Sequence, residues 1–131
     1  LDAYMVSHNA PYDSGMAEKY LPPDVFAQLK TNWVCTLRMS RKLYADDETF
    51  TAFNLPYLRY KLDLKVDISA DTHRAGYDSF VTGLLLEHLV DELEARGVLH
   101  VDQPYFPQIM QWLEEPIIIR FFKVVNPNSK G

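Results

Sequence analysis

The chain has 131 residues, 47% of them hydrophobic and 24% charged, which is the balance of a single globular domain. Its formal net charge of -5 excludes a broad basic surface for nucleic acid, so any such contact would be local or bridged by metal ions. Cys35 is the only cysteine, which excludes a disulfide within the chain and favours a reducing compartment such as the cytoplasm. No apolar run is long enough to span a membrane, and we expect no membrane partner.

The N-terminal part of the sequence alternates short apolar runs with helical patterns. Pro11 suits the first turn of a helix, where its missing N–H costs nothing. Thr36 follows the second apolar run and is expected to cap the next helix. The predicted elements are a strand over 3–7, helices over 11–20 and 23–30, a strand over 33–35 and a helix over 37–44.

The C-terminal part is predicted to be mostly helical. Asn54 is expected to cap a helix that carries Leu55, Leu58 and Leu62 on one face. The longest predicted helix spans 73–96 and ends at Gly97. An acidic loop over 45–49, a polar loop over 66–72 and a helix over 107–113 complete the pattern, and 117–122 could be a strand or a packed tail. The apolar positions of the longest helix include Phe80, Val81, Leu84, Leu85, Leu89 and Leu93.

Strands that alternate with helices predict an α/β layered domain. Only two strands are clear, and an isolated pair of strands is marginal in water. Part of the expected sheet is therefore absent from the pattern.

A first candidate site follows the first strand, where Asn9 and Asp13 open a helix. Ligands of open α/β sheets gather outside the carboxyl ends of the strands, so Asp13 is well placed to hold a divalent cation. The alternative is that both residues only cap a turn and a helix start. This spacing leaves the two interpretations open.

A second candidate site lies in His73-Arg-Ala-Gly-Tyr-Asp78, at the start of the longest helix. The spacing brings an imidazole and a carboxylate near each other at one helix end. An acid–base group beside a hard-metal ligand suits metal-assisted hydrolysis. The alternative is that both are helix-end and surface groups.

Three segments together resemble a known family. They are Ser7-His-Asn-Ala-Pro-Tyr-Asp13, Trp33-Val-Cys-Thr-Leu-Arg-Met-Ser-Arg-Lys-Leu-Tyr44 and His73-Arg-Ala-Gly-Tyr-Asp78. In this order they resemble the DEDDh 3′–5′ exonucleases, which are DnaQ-like, and most of all the exonuclease X branch. The resemblance covers roughly residues 3–96.

This resemblance implies a fold, an activity and a set of site residues. The fold would be RNase H-like, with a three-layer α/β arrangement. The activity would be hydrolysis of phosphodiester bonds at DNA 3′ ends, with two Mg²⁺ or Mn²⁺ ions and release of nucleoside monophosphates. By position, Asp13 and Asp78 match metal-binding carboxylates, His73 the general base and Asn9 the polar residue that opens the second motif. The exonuclease part would be residues 1–100, and 101–131 would form a C-terminal helix and tail.

One part of the family pattern is missing. The first motif, D-x-E on a first strand, has no counterpart upstream of Asn9. With it, the first strands of the family sheet are missing, so we expect an open sheet edge and a long helix without a partner layer. Three explanations stay open: the chain is a fragment, a partner chain supplies the motif and completes the sheet, or the chain is a degenerate copy that binds without catalysis.

Other residues are weaker candidates. Arg38, with Arg41 and Lys42, could reach substrate phosphates or form a solvated helix face. Tyr12 could stack on a terminal base of single-stranded DNA, or pack against the sheet. The sequence predicts a metal-dependent 3′–5′ exonuclease that acts on single strands or 3′ ends, with RNA left open. The alternative is an inactive RNase H-like module that binds nucleic acid or protein.

Overall fold

The computed structural model of the protein describes residues 4–66 and 75–116. Two short parallel strands pair in register, with Met5 opposite Trp33 and Ser7 opposite Cys35. Helices surround this pair. The elements of the described residues are β1 (Met5–Ser7), α1 (Ala10–Tyr20), α2 (Pro23–Leu29), β2 (Trp33–Cys35), α3 (Thr36–Leu43), α4 (Leu55–Lys61), α5 (Ala75–Ala95) and α6 (Tyr105–Glu114).

The helix ends follow local sequence signals. Asn54 accepts a hydrogen bond from the backbone N–H of Tyr57 at 2.8 Å, which confirms it as the cap of α4. Beyond α5, Gly97 adopts φ 78°, and the N–H of Val98 bonds back to the carbonyl of Leu93 at 2.9 Å. Gly97 therefore ends the long helix as predicted, because glycine adopts this conformation without steric cost.

Thr36 does not cap α3, as was expected from the sequence. The cap position is Cys35, and no side chain caps this helix end. The Thr36 hydroxyl instead donates to the carbonyl of Ser7 at 3.3 Å. Thr36 therefore links the start of α3 to the end of β1.

The core lies between α5 and the elements packed on it. Val81, Leu85, Leu89 and Leu93 recur at the i, i+4 spacing of one helix face and are at most 1% exposed. This face packs against α3, α4 and β1, so the expectation that the long helix lacks a partner layer was wrong. Phe80, another of the apolar positions of this helix, lies outside this stripe and is 49% exposed.

The last helix joins the same core. Ile109 and Trp112 of α6 are buried with the α5 stripe, and α6 packs against α3 and β2. Tyr105, at the start of α6, donates its hydroxyl to the carboxylate of Glu94 on α5. Among the described helices, none is both long and apolar enough to cross a membrane. The predicted 117–122 segment lies outside the described residues.

Candidate functional site

A cleft of about 580 Å³ opens at the carboxyl end of β1. Its walls come from the β1–α1 junction, the start of α4 and the first turns of α5. Such a position, beyond the end of a parallel strand, is where α/β proteins commonly bind ligands. The lining residues are Val6, Ser7, His8, Asp13, Leu55, Asp78, Ser79, Thr82, Gly83 and Leu86.

The cleft brings together the two carboxylates that the sequence motifs had singled out. Asp13 lies in the first turn of α1 and Asp78 in the first turn of α5. Both side chains are exposed, and both line the cleft. Two carboxylates that face one open space form an anionic site whose oxygen atoms suit a hard divalent cation.

The donor set in the described part of the chain is incomplete. No group of three or more His, Cys, Asp or Glu side chains there could hold a metal ion. The carboxylate oxygens of Asp13 and Asp78 are the type of ligand that Mg²⁺ and Mn²⁺ prefer. Two carboxylates alone supply fewer oxygen ligands than these ions usually have. His73 lies outside the described residues.

Asn9 opens the turn between β1 and α1. It has φ 143° and ψ 63°, a conformation that non-glycine residues rarely adopt and that lies outside the left-handed region in which asparagine is enriched. Its carbonyl accepts the N–H of Asp13 at 3.2 Å, and its side chain makes no capping hydrogen bond. Asn9 is not among the residues that line the cleft. Tyr12 lies in the first turn of α1.

The basic side chains of α3 contact the end of α6. Arg38 donates to the carbonyl of Leu113 at 3.5 Å, and the Lys42 ammonium donates to the carbonyls of Trp112 and Glu115. Lys42 also lies 4.8 Å from the centre of the Trp112 ring. Cations at a helix C-terminus satisfy its free carbonyls and its dipole, which is a role that the sequence did not suggest. Neither side chain lines the cleft.

His8 connects the end of β1 to the segment that precedes α4. Its Nε2 lies 2.7 Å from the carbonyl of Phe53 and its Nδ1 2.9 Å from the hydroxyl of Thr36. A carbonyl only accepts, so Nε2 carries the proton and donates. In the neutral ring Nδ1 only accepts, so the single proton of the Thr36 hydroxyl is shared between Nδ1 and the Ser7 carbonyl. Burial lowers the pKa of His8, against the opposing effect of the Phe53 carbonyl and with a further lowering by Arg41. The only sequence signal for this role is its place directly after the strand β1.

A smaller pocket of about 70 Å³, here called the side pocket, adjoins the cleft. It shares Leu55 and Asp78 with the cleft and is also lined by Pro56, Arg59, Tyr77 and Val81. The Nε of Arg59 is buried and has no hydrogen-bond partner among the described residues. A buried donor without a partner costs about 1–3 kcal/mol, so this arrangement is unfavourable unless something else accepts the bond.

Comparisons with known proteins give one informative similarity. Over 102 residues the chain is 32% identical to a protein of Halalkalibacterium halodurans described as "DNA polymerase III PolC-type". The matched region is 78% of this chain and 7% of that protein, so the chain spans a small part of the length of its relative. No family model matches the sequence. No solved structure matches it either.

Proposed function

We propose that this protein is a metal-dependent nuclease of the DnaQ-like type, with 3′–5′ exonuclease activity on DNA. The observation that carries this proposal is that Asp13 and Asp78 line one cleft at the carboxyl end of β1. The similarity to a PolC-type DNA polymerase III supports a DNA-related role and a DnaQ-like relationship. An RNase H-like fold with a three-layer α/β arrangement is part of the same proposal, and so is a cytoplasmic location.

The chain's own residues would divide the work as follows. Asp13 and Asp78, in the first turns of α1 and α5, would hold the divalent ions. Bound Mg²⁺ or Mn²⁺ would stabilise the charge on the attacking and leaving oxygens of the phosphodiester. His73, by its resemblance to the family base, would accept a proton from the attacking water, as a group with a pKa near neutral can.

A direct test uses 5′-labelled single-stranded DNA with Mg²⁺, run with the polypeptide that the gene encodes and with the 131-residue chain. We expect ladder-like shortening from the 3′ end that disappears in Asp78→Ala and His73→Ala. An Asp102→Ala variant is the matched control, because this exposed carboxylate lies outside the cleft. Shortening that persists unchanged in both site variants would overturn the assignment.

A second candidate function is an inactive binding module of the same shape. The specific observation in its favour is the incomplete donor set of the described residues, together with the missing D-x-E motif. Calorimetric titration with Mn²⁺ separates the two functions. Tight binding by the 131-residue chain that Asp13→Asn abolishes would count against the module and for the enzyme.

A further inference from the structure

The cleft carries the negative charge of two carboxylates, whereas the proposed substrate needs positive charge near its phosphates. Nucleic acid brings negative charge to a site that already holds the carboxylates of Asp13 and Asp78. Among the described residues that line the cleft or the side pocket, Arg59 is the only lysine or arginine. It is therefore the described cation best placed to offset charge at this site.

Arg59 also lies in the right place. It lies in the last turn of α4, where the side pocket opens beside Asp78. Its Nε has no hydrogen-bond partner within the part of the chain that the structure describes. A guanidinium presents several N–H groups in a planar fork that matches two oxygens of one phosphate.

The dimensions of the side pocket limit what it can take. Its volume of about 70 Å³ is small. One water needs roughly 10–15 Å³ of such space, so the pocket has room for a few atoms of that size, which is the scale of a phosphate group.

We propose that Arg59 binds one backbone phosphate of the nucleic-acid strand in the cleft, so that the side pocket is a phosphate subsite beside Asp78. This inference rests on the proposed function, because it takes nucleic acid as the ligand. It adds a residue for which the sequence analysis predicted no role. The competing role for Arg59 is purely structural, as a charged neighbour that holds Asp78 in place.

The test is a scan of single neutral linkages. A 5′-fluorescein-labelled oligothymidylate is compared with variants that carry one methylphosphonate at successive positions from the 3′ end. Binding is followed by fluorescence anisotropy in Ca²⁺, and strand length is checked on a gel. We expect one linkage at which the full chain loses about tenfold in affinity, as for one charge-assisted hydrogen-bonded contact.

The Arg59→Gln variant should lose about tenfold in affinity for the unmodified strand and should no longer respond to that linkage. Arg59→Lys keeps the charge without the fork, so it should keep part of the response. Lys65→Gln removes one positive charge from an exposed side chain that pairs with Asp63, and it should behave like the unmodified protein. Thermal melts of every variant establish that the fold is retained, and Arg59→Lys carries the test if Arg59→Gln does not fold.

Two results would overturn the inference while the proposed function stands. One is cleavage and binding by the unmodified protein with a flat response along the scan. The other is an Arg59→Gln variant that binds more weakly but keeps the same position-dependent response, which would make Arg59 structural. If the unmodified protein neither binds nor shortens DNA, the inference and the proposed function both fall.

Discussion

Residues 33–66 and 75–116, here called the packed region, bury their apolar side chains far more completely than residues 4–32, the exposed region. Every fully buried apolar side chain of the described residues belongs to the packed region. In the exposed region, α2 buries no residue, and Met5, Met16 and Val25 are 38–42% exposed. The cleft lies between the two regions, with Asp78 on the packed side and Asp13 on the exposed side. One carboxylate is thus held by a core, whereas the other depends on a segment with little burial of its own.

The largest effect on stability should come from a cavity created inside the packed region. Leu89→Ala removes a fully buried side chain from the α5 stripe and should lower the free energy of unfolding by about 2–5 kcal/mol. Met16→Ala in the exposed region should change it by less than about 0.5 kcal/mol. Urea unfolding of both variants measures the difference. Similar losses in the two variants would show that the regions do not differ as the structure indicates.

The next effect concerns the cleft, where stability and activity should separate. Asp13→Asn and Asp78→Asn should each reduce Mg²⁺-dependent cleavage by at least about 100-fold, since even residues behind metal ligands contribute 10–100-fold. Both side chains are exposed, so each change should alter stability by less than about 0.5 kcal/mol. Nuclease rates and melting temperatures on the same samples test this. If Asp13→Asn keeps its activity while Asp78→Asn loses it, only the carboxylate on the packed side is required for catalysis.

A smaller effect is expected at the junction of α3 and α6. Lys42→Met keeps most of the side-chain bulk but removes the charged donor to the carbonyls at the end of α6. The expected loss is about 1–3 kcal/mol, the range for hydrogen bonds to charged groups. Lys65→Met is the control on an exposed, loosely paired lysine. If Lys42→Met is as stable as Lys65→Met, the contact with α6 does not stabilise the fold. The two predicted roles of the basic side chains of α3, a solvated helix face or contact with phosphates, would then stand.

The smallest effect is a pH dependence carried by His8. Its pKa in the folded protein lies below 6.5, so the unfolded chain binds the proton more readily. Stability from this group is complete well above pH 6.5 and falls as the pH drops through 6.5 toward the folded pKa. The difference in unfolding free energy between pH 7.5 and 5.5 should shrink in His8→Gln. Identical pH profiles of the unfolding free energy for the unmodified protein and His8→Gln would show that His8 does not carry this pH dependence.

These comparisons also show which features the sequence could predict. The strand at Trp33–Cys35, the cap at Asn54 and the stop at Gly97 depend on local signals, and the structure confirms all three. The cap predicted at Thr36 was wrong, and the exposure of Phe80 could not be predicted, because tertiary contacts decide both. The hydroxyl of Thr36 finds the distant carbonyl of Ser7, and Phe80 lies beside the stripe that packs.

The candidate site was predictable only in part. The order of two short motifs indicated that Asp13 and Asp78 belong to one site, and both line the cleft. No site role was predicted for Arg59 or His8, since their surroundings depend on which helix and loop the fold brings beside β1. The fold class itself stays a prediction, because two paired strands are compatible with several α/β arrangements.

The hydrogen bond between His8 and Phe53 has a consequence for the width of the cleft. His8 directly follows β1, and Phe53 comes two residues before Leu55, which lines the opposite wall at the start of α4. The separation of β1 and α4 at this end is therefore spanned by one imidazole ring and its 2.7 Å bond to the Phe53 carbonyl. A shorter side chain at position 8 would uncouple the two walls, and the opening would then vary in size even though the carboxylates of Asp13 and Asp78 are unchanged.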